Sequence, residues 1–326
     1  MTQVSALINY FGKLPARGDF VRDADDHPLM AQLDRWAGGG LELLSRNPDW
    51  KRLYDTAPGM HYAFMGSRSR WVIGGHHLRS HDASQRRFPF LSATRFEVAE
   101  PLRFIARSPL ALSRAWTGMA RHARQAVAAE DAAAPLRELS GTRHRLDTDP
   151  AAYDAPFADF LELQTLSSMQ RILLESGHMR IQLRQMLPAL GLLLQPLLSG
   201  GGVSIDKALE LPLPRDSLYR PLVAAFWLDA VAAFIGRGDF ELAVLIRDDD
   251  APQLLLGFGG ADPQILRAAF DPQAADEYQI RLRDSEWVEE YLPGDYALNK
   301  LASYIDREDL SLRSARAIFG ETFLGA

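Results

Sequence analysis

The chain has 326 residues, with 36 Lys+Arg against 42 Asp+Glu, a formal net charge of −6 and no cysteine. At about 150 residues per domain this makes one large or two ordinary domains, and 47% hydrophobic residues supply a proper core, which excludes global disorder. The mild acidity argues against a protein that coats nucleic acid, and the missing cysteines exclude disulfide frameworks, thiol nucleophiles and Cys-ligated metal sites.

The first residues, Met1-Thr2-Gln3-Val4, lack the basic and apolar regions of a signal peptide, so a cytoplasmic protein is expected. Residues 7–11 read as a short strand closed by Gly12 and Pro15. Apolar positions 29, 33, 36, 41 and 44 predict a helix, interrupted near Gly38-Gly39-Gly40. Residues 61–65 and 70–73 form a hairpin pattern around Gly66-Ser67-Arg68-Ser69, and 88–98 is a further strand.

From Leu110 the period becomes helical, with Leu112, Trp116, Met119, Ala123 and Ala126 on one stripe. Residues 126–134 and 141–156 read as connections. Leu163, Leu166, Met169, Ile172 and Leu173 form a second stripe, which Gly177 ends, and Met179, Leu183 and Met186 open the next helix. Residues 185–205 carry no charge, but Pro188, Pro196 and four glycines predict a buried core segment and no stable membrane insertion.

After Pro214, Asp216 or Ser217 is a candidate N-cap for a broad apolar helix. Residues 240–246 and 253–258 predict a hairpin, and Asp262-Pro263 starts another helix. The tail from 274 to 326 is polar, with Trp287, Tyr291, Tyr296 and Tyr304 as its expected anchors.

Charge is uneven. Residues 86–145 hold 11 Arg and 5 acids, a balance of +6, whereas 206–326 hold 22 acids and 12 bases, a balance of −10. That asymmetry suits docking onto charged protein surfaces or self-association; solvated helix faces are the alternative.

Four potential metal ligands, His76, His77, His81 and Asp82, fall within seven residues. Leu78-Arg79-Ser80 replaces the glutamate that a two-histidine metalloprotease helix needs, and Gly74-Gly75 suggests a loop. A metal-dependent hydrolase and neighbouring surface histidines are the two readings left. Gly257-Phe258-Gly259-Gly260-Ala261-Asp262 lacks the third glycine of a dinucleotide fingerprint, and its aspartate would repel a pyrophosphate. Gly200-Gly201-Gly202 has no Gly-Lys-Ser/Thr after it, and Asp248-Asp249-Asp250 has the composition of a turn. No Gly-x-Ser-x-Gly elbow seats a hydrolase nucleophile. Arg17-Gly18-Asp19-Phe20 recurs as Arg237-Gly238-Asp239-Phe240, each a turn with a phenylalanine entering the core.

The most specific string is Asn9-Tyr10-Phe11-Gly12-Lys13-Leu14-Pro15-Ala16-Arg17-Gly18-Asp19-Phe20-Val21. It resembles the opening of the TagF (ImpM) family of type VI secretion accessory proteins, and Trp36 matches the tryptophan of that family's first helix. Ser80-x-Asp82 followed by Arg86-Arg87-Phe88-Pro89 is similar to a second family motif, with Gln85 where the family has glycine, so the turn before Arg86 is expected to be made differently. The likeness covers about residues 7–100 well and 215–270 loosely.

The resemblance implies an α/β fold, a three-layer α-β-α sandwich with a mixed sheet. Here it would be enlarged by a helical segment at about 110–200 within a domain of 1–275, and followed by a C-terminal extension at 276–326. It also implies a post-translational repressor of secretion, not an enzyme and without cofactors. The implied partners are a forkhead-associated (FHA) scaffold protein or another secretion component, with a separate PP2C-type phosphatase possible and no nucleic acid. Arg17, Asp19, Phe20, Asp82, Arg86 and Arg87 would then order the two motif loops or touch the partner. The remaining alternatives are the hydrolase centred on His76, His77, His81 and Asp82, and a structural subunit of the apparatus.

Overall fold

Strand residues alternate between two opposite cores, and this alternation sets the architecture. In a computed structural model, which describes residues 3–23, 26–199, 205–307 and 309–325, the chain begins with β1 (Gln3–Leu7), β2 (Asn9–Gly12) and β3 (Val21–Arg22). Helices α1 (His27–Leu44) and α2 (Trp50–Thr56) follow, then β4 (Met60–Gly66), β5 (Trp71–Leu78) and β6 (Phe90–Glu97). The middle holds α3 (Pro101–Ala128), α4 (Ala133–Gly141), β7 (Arg143–Asp147), α5 (Asp154–Leu163), α6 (Leu166–Glu175) and α7 (Leu183–Leu194). The chain continues with β8 (Ala208–Pro212), α8 (Tyr219–Ile235), β9 (Glu241–Arg247), β10 (Gln253–Gly257), α9 (Pro263–Phe270), α10 (Pro272–Tyr278) and β11 (Gln279–Arg281). Two helices, α11 (Tyr296–Ile305) and α12 (Leu312–Leu324), close it.

Nine strands form one sheet in the order β11-β8-β10-β9-β4-β5-β6-β2-β3, while β1 and β7 pair separately. Its pairs are antiparallel except β11 on β8, so the sheet is mixed. Leu242, Val244 and Ile246 of β9 face a core shared with α3 and α8. Ala243 and Leu245 between them face a second core under α1 and α9. Helices on both faces make the expected three-layer α-β-α sandwich.

Several boundaries differ from the sequence reading. The expected strand at 7–11 divides at Ile8, because β1 leaves the main sheet to pair with β7 while β2 joins β6. The region 141–156, expected as a connection, contains β7, a short 3₁₀ turn at Pro150–Tyr153 and the start of α5. Helix α1 runs unbroken through its three glycines. A Cβ on Gly39 would lie 2.8 Å from the Pro263 ring, and one on Gly40 2.7 Å from Leu266. The glycines therefore serve the close approach of α1 to α9, not a break.

Strand β5 extends to Leu78, which carries His76 and His77 in a strand and not in a loop. The uncharged stretch at 185–205 becomes α7 and a 3₁₀ turn at Gln195–Ser199. No helix among the described residues is long and apolar enough to cross a membrane. Gly200-Gly201-Gly202 lies outside the described residues.

Asp262 caps α9 as expected, accepting the N–H of Gln264; Asp216 accepts the N–H groups of Leu218 and Tyr219 in the turn before α8, whose cap position is Leu218 and not Asp216 or Ser217. The anchors of the tail are different from those expected. Tyr291, Tyr296 and Tyr304 are exposed and Trp287 is half-buried. The buried stripe is instead Leu298, Leu301 and Ile305 on α11 with Leu312, Ala315, Phe319 and Phe323 on α12. Phe319 meets Phe234 of α8 with ring centroids 5.8 Å apart, and β11 adds to the edge of the main sheet.

Candidate functional site: two loops closed on a buried carboxylate

The pairing of Gly12 with Phe90 sets the end of β2 beside the start of β6. The loop after β2 and the loop between β5 and β6 are thereby adjacent, although about seventy residues separate them in the chain. Gly12 is the pivot. Its φ is +140° and a Cβ there would lie 2.0 Å from the Pro89 carbonyl oxygen, so only glycine fits.

Asp82 is completely buried between the loops. Its Oδ1 accepts the N–H groups of Ser84 (2.9 Å) and Arg86 (3.0 Å). Its Oδ2 accepts from the Arg86 guanidinium at 2.6 Å and the Lys13 ammonium at 3.0 Å. Burial alone would push this carboxyl up; the Arg86 N–H, the two cationic side chains and the Ser84 N–H outweigh it and hold the carboxyl well below its usual range. Arg86 also donates to the Gly18 carbonyl at 2.8 Å, and the Ala83 N–H donates to the Arg17 carbonyl at 2.8 Å. The second loop is thus tied to the first by both side chain and backbone.

The other expected residues sit around this tie. Arg17 is exposed, with its guanidinium 3.7 Å from Asp131. The exposed Asp19 accepts the Phe20 N–H at 2.8 Å. Phe20 is 42% exposed and does not enter the core, contrary to expectation. Its ring stacks on Phe11 at 5.4 Å and meets Phe88 edge-on at 4.9 Å, with the Lys13 ammonium 5.0 Å from its centroid. Arg87 grips Asp55 of α2 through two hydrogen bonds of 2.8 and 2.6 Å.

Gln85 adopts φ +61°, the left-handed conformation that a glycine takes readily. The turn before Arg86 is therefore made in glycine's own conformation, with glutamine carrying the strain. Sequence reasoning did not single out Tyr54, a buried residue whose hydroxyl accepts the Ser80 N–H and donates to the Ser80 carbonyl, both at 2.9 Å. It also missed Asp55. Lys13 stood in the motif, but only the fold reveals its carboxylate partner.

The four residues of the hydrolase alternative do not converge. His76 and His77 point to opposite faces of the sheet because they are consecutive on a strand. His76 Nδ1 lies 3.2 Å from His61 Nδ1, and the His61 ring stacks on Trp116 of α3. His77 lies on the other face against Trp36 and Phe270, with no hydrogen-bond partner for either nitrogen among the described residues. Burial pulls His61 down to about 4 and His77 to about 3, and it pulls His76 well below its ordinary value. The His81 ring is directed to the Asp82 carbonyl oxygen at 2.9 Å, while the Asp82 carboxylate is filled. Among the described residues no group of three or more His, Asp or Glu side chains is arranged to hold a metal ion.

Elsewhere, Asp248 pairs with Arg220 and Asp249 with Arg247 at the tip of the β9–β10 hairpin. The glycines after β10 make a strand-to-helix turn, with Gly260 at φ +62°.

Fold and site together define a three-layer α/β protein with a preformed two-loop surface: a buried carboxylate within, an aromatic ring and arginines at the rim. Residues 9–141, which contain both loops, match the TagF N-terminal domain, type VI secretion system-associated. That match is to a type VI secretion-associated family and covers less than half of the chain. The chain is also similar to PA0076 from Pseudomonas aeruginosa PAO1. The two are 26% identical over 28% of this chain and 42% of that one, with a TM-score of 0.26. The match thus spans less than half the length of PA0076. No curated protein matches the chain.

Proposed function

We propose that this protein is a cytoplasmic repressor of type VI secretion that acts after translation by holding a component of the apparatus. An FHA scaffold protein is the candidate partner, and a separate PP2C-type phosphatase is a candidate regulator of the same complex. The observation that carries the reading is that both loops closed on Asp82 lie inside the TagF domain at 9–141. A surface already locked in shape loses little conformational freedom on binding, which favours a docking role. Arg17, Asp19, Phe20, Arg86 and Arg87 are its contact residues; Asp82 ties together the two loops that carry them, and Asp55 holds Arg87. A non-enzymatic role is further supported by the divergence of His76, His77, His81 and Asp82.

The test is an affinity pull-down from the native host, together with secretion measured in a deletion strain. Recovery of an FHA-type or other secretion component, with secretion raised or intact on deletion, supports the reading. Recovery of no such component, with secretion unchanged, contradicts it, and abolished secretion favours a structural subunit.

A further inference from the structure

Strand β7 pairs with β1 alone, so its other edge has no strand neighbour among the described residues. In a two-stranded antiparallel ribbon, alternate residues direct their N–H and C=O groups away from the partner strand. Such an edge is a template for another strand. His144 lies against α3, where a Cβ on Gly118 would come within 2.5 Å of its ring. The strand alternation therefore turns Arg143 and Arg145 outward, and both are exposed.

These two arginines stand in a larger field of arginines without carboxylate partners among the described residues. Arg114, Arg121 and Arg124 on α3, Arg137 on α4, and Arg143 and Arg145 on β7 are all exposed, and α3 packs against both α4 and β7. None of the six has a carboxylate within 4.0 Å among the described residues. Two of the three acids between 114 and 145 are directed elsewhere, Asp131 to Arg17 and Glu138 to His122. The other five arginines of residues 86–145, Arg86, Arg87, Arg95, Arg103 and Arg107, are all in ion pairs, so the positive sequence balance of the middle is concentrated in this field.

We propose that the free edge of β7 receives an extended acidic segment of a protein partner as an added strand. Residues two apart on a strand are about 6.7 Å apart, so carboxylates at alternate positions of the guest would meet Arg143 and Arg145 in register. Guanidinium forks bind carboxylates through paired hydrogen bonds, while the backbone ladder supplies the remaining affinity. A nucleic acid fits less well, because the chain as a whole carries −6. The proposal rests on this edge alone and not on the secretion reading.

The test uses the full chain and a synthetic strand peptide with glutamate at alternate positions, followed by fluorescence anisotropy at low salt. Saturable binding is expected. It should weaken about tenfold or more in Arg143→Glu/Arg145→Glu, whose positions are exposed and leave the fold intact by circular dichroism. N-methylation of alternate backbone amides of the peptide should abolish it. Absence of saturable binding, binding unaffected by the double substitution, or binding indifferent to N-methylation would each overturn the proposal. So would duplex DNA of equal charge binding more tightly than the peptide. If the arginines only protect the edge from self-pairing, the double substitution produces oligomers and no peptide binds.

Discussion

Lys13 and Arg86 reach the same oxygen, Oδ2 of Asp82, from two different loops, at 3.0 and 2.6 Å. Asp82 is completely buried and Lys13 nearly so. Removing the carboxylate would leave a buried ammonium without a counter-charge, which is far worse than removing the whole set. Asp82→Asn is therefore expected to loosen both loops, seen as new proteolytic cleavage within 13–20 and 80–88 and a lower melting temperature. Because the folded carboxyl is held below its unfolded value of about 3.9, its contribution is present above that pH and lost as the pH falls further. The wild type should lose stability in that acid window more steeply than Asp82→Asn; parallel profiles would contradict the assignment.

Gln85 carries the left-handed strain of the second loop, with φ +61°. A non-glycine residue there costs about 1–2 kcal/mol, partly offset because glycine orders at a larger entropic cost. Gln85→Gly should therefore stabilise the protein by up to about 1 kcal/mol in urea denaturation. A clear loss of stability would mean that the glutamine side chain contributes something the backbone geometry does not show.

Two imidazoles of the sheet, the buried His77 and the half-buried His61, are expected to make stability fall with mild acid. His61 and His77 are pulled by burial to about 4 and about 3, below the ordinary 6.5. Above pH 6.5 both folded and unfolded forms are neutral; below it the unfolded chain takes up protons first, so stability declines as the pH drops toward 4. Across its full window His61 accounts for roughly 3 kcal/mol and His77 for roughly 5 kcal/mol. The His77 ring has no hydrogen-bond partner to lose among the described residues, so His77→Leu should be near neutral at pH 8 and more stable than wild type at pH 5. Equal slopes in a stability–pH series would contradict this.

The last helix is part of the main core. Phe319 is 4% exposed and packs on Phe234 of α8. Phe319→Ala should cost about 3–5 kcal/mol by cavity formation, measured by chemical denaturation. A cost below about 1 kcal/mol, the range of ordinary surface changes, would mean that α12 packs only peripherally.

Much of this was legible in the sequence because local signals carried it. The hairpins, the cap at Asp262, and the two TagF-like motifs all depend on residues close together in the chain. The departures have one cause in common: a partner distant in sequence. Gly39 and Gly40 looked like a helix break because Pro263 and Leu266, which need their bare backbone, are more than two hundred residues away. His76 and His77 looked like ligands because the strand that sends them to opposite faces was read as ending at 73. The tail tyrosines outweighed the leucines and phenylalanines of α11 and α12, although the latter recur at helical spacing. Asp82 could be named from its motif, but its burial and its two cationic partners could not.

On the proposed function, the loops closed on Asp82 form the surface that restrains secretion. Its most direct test is secretion from a native-host strain carrying Phe20→Glu with Arg86→Ala, compared with wild type and deletion, with the partner recovered in parallel. The account predicts a folded variant that no longer recovers the partner and secretes like the deletion strain. A folded variant that still recovers the partner and secretes like wild type would contradict it.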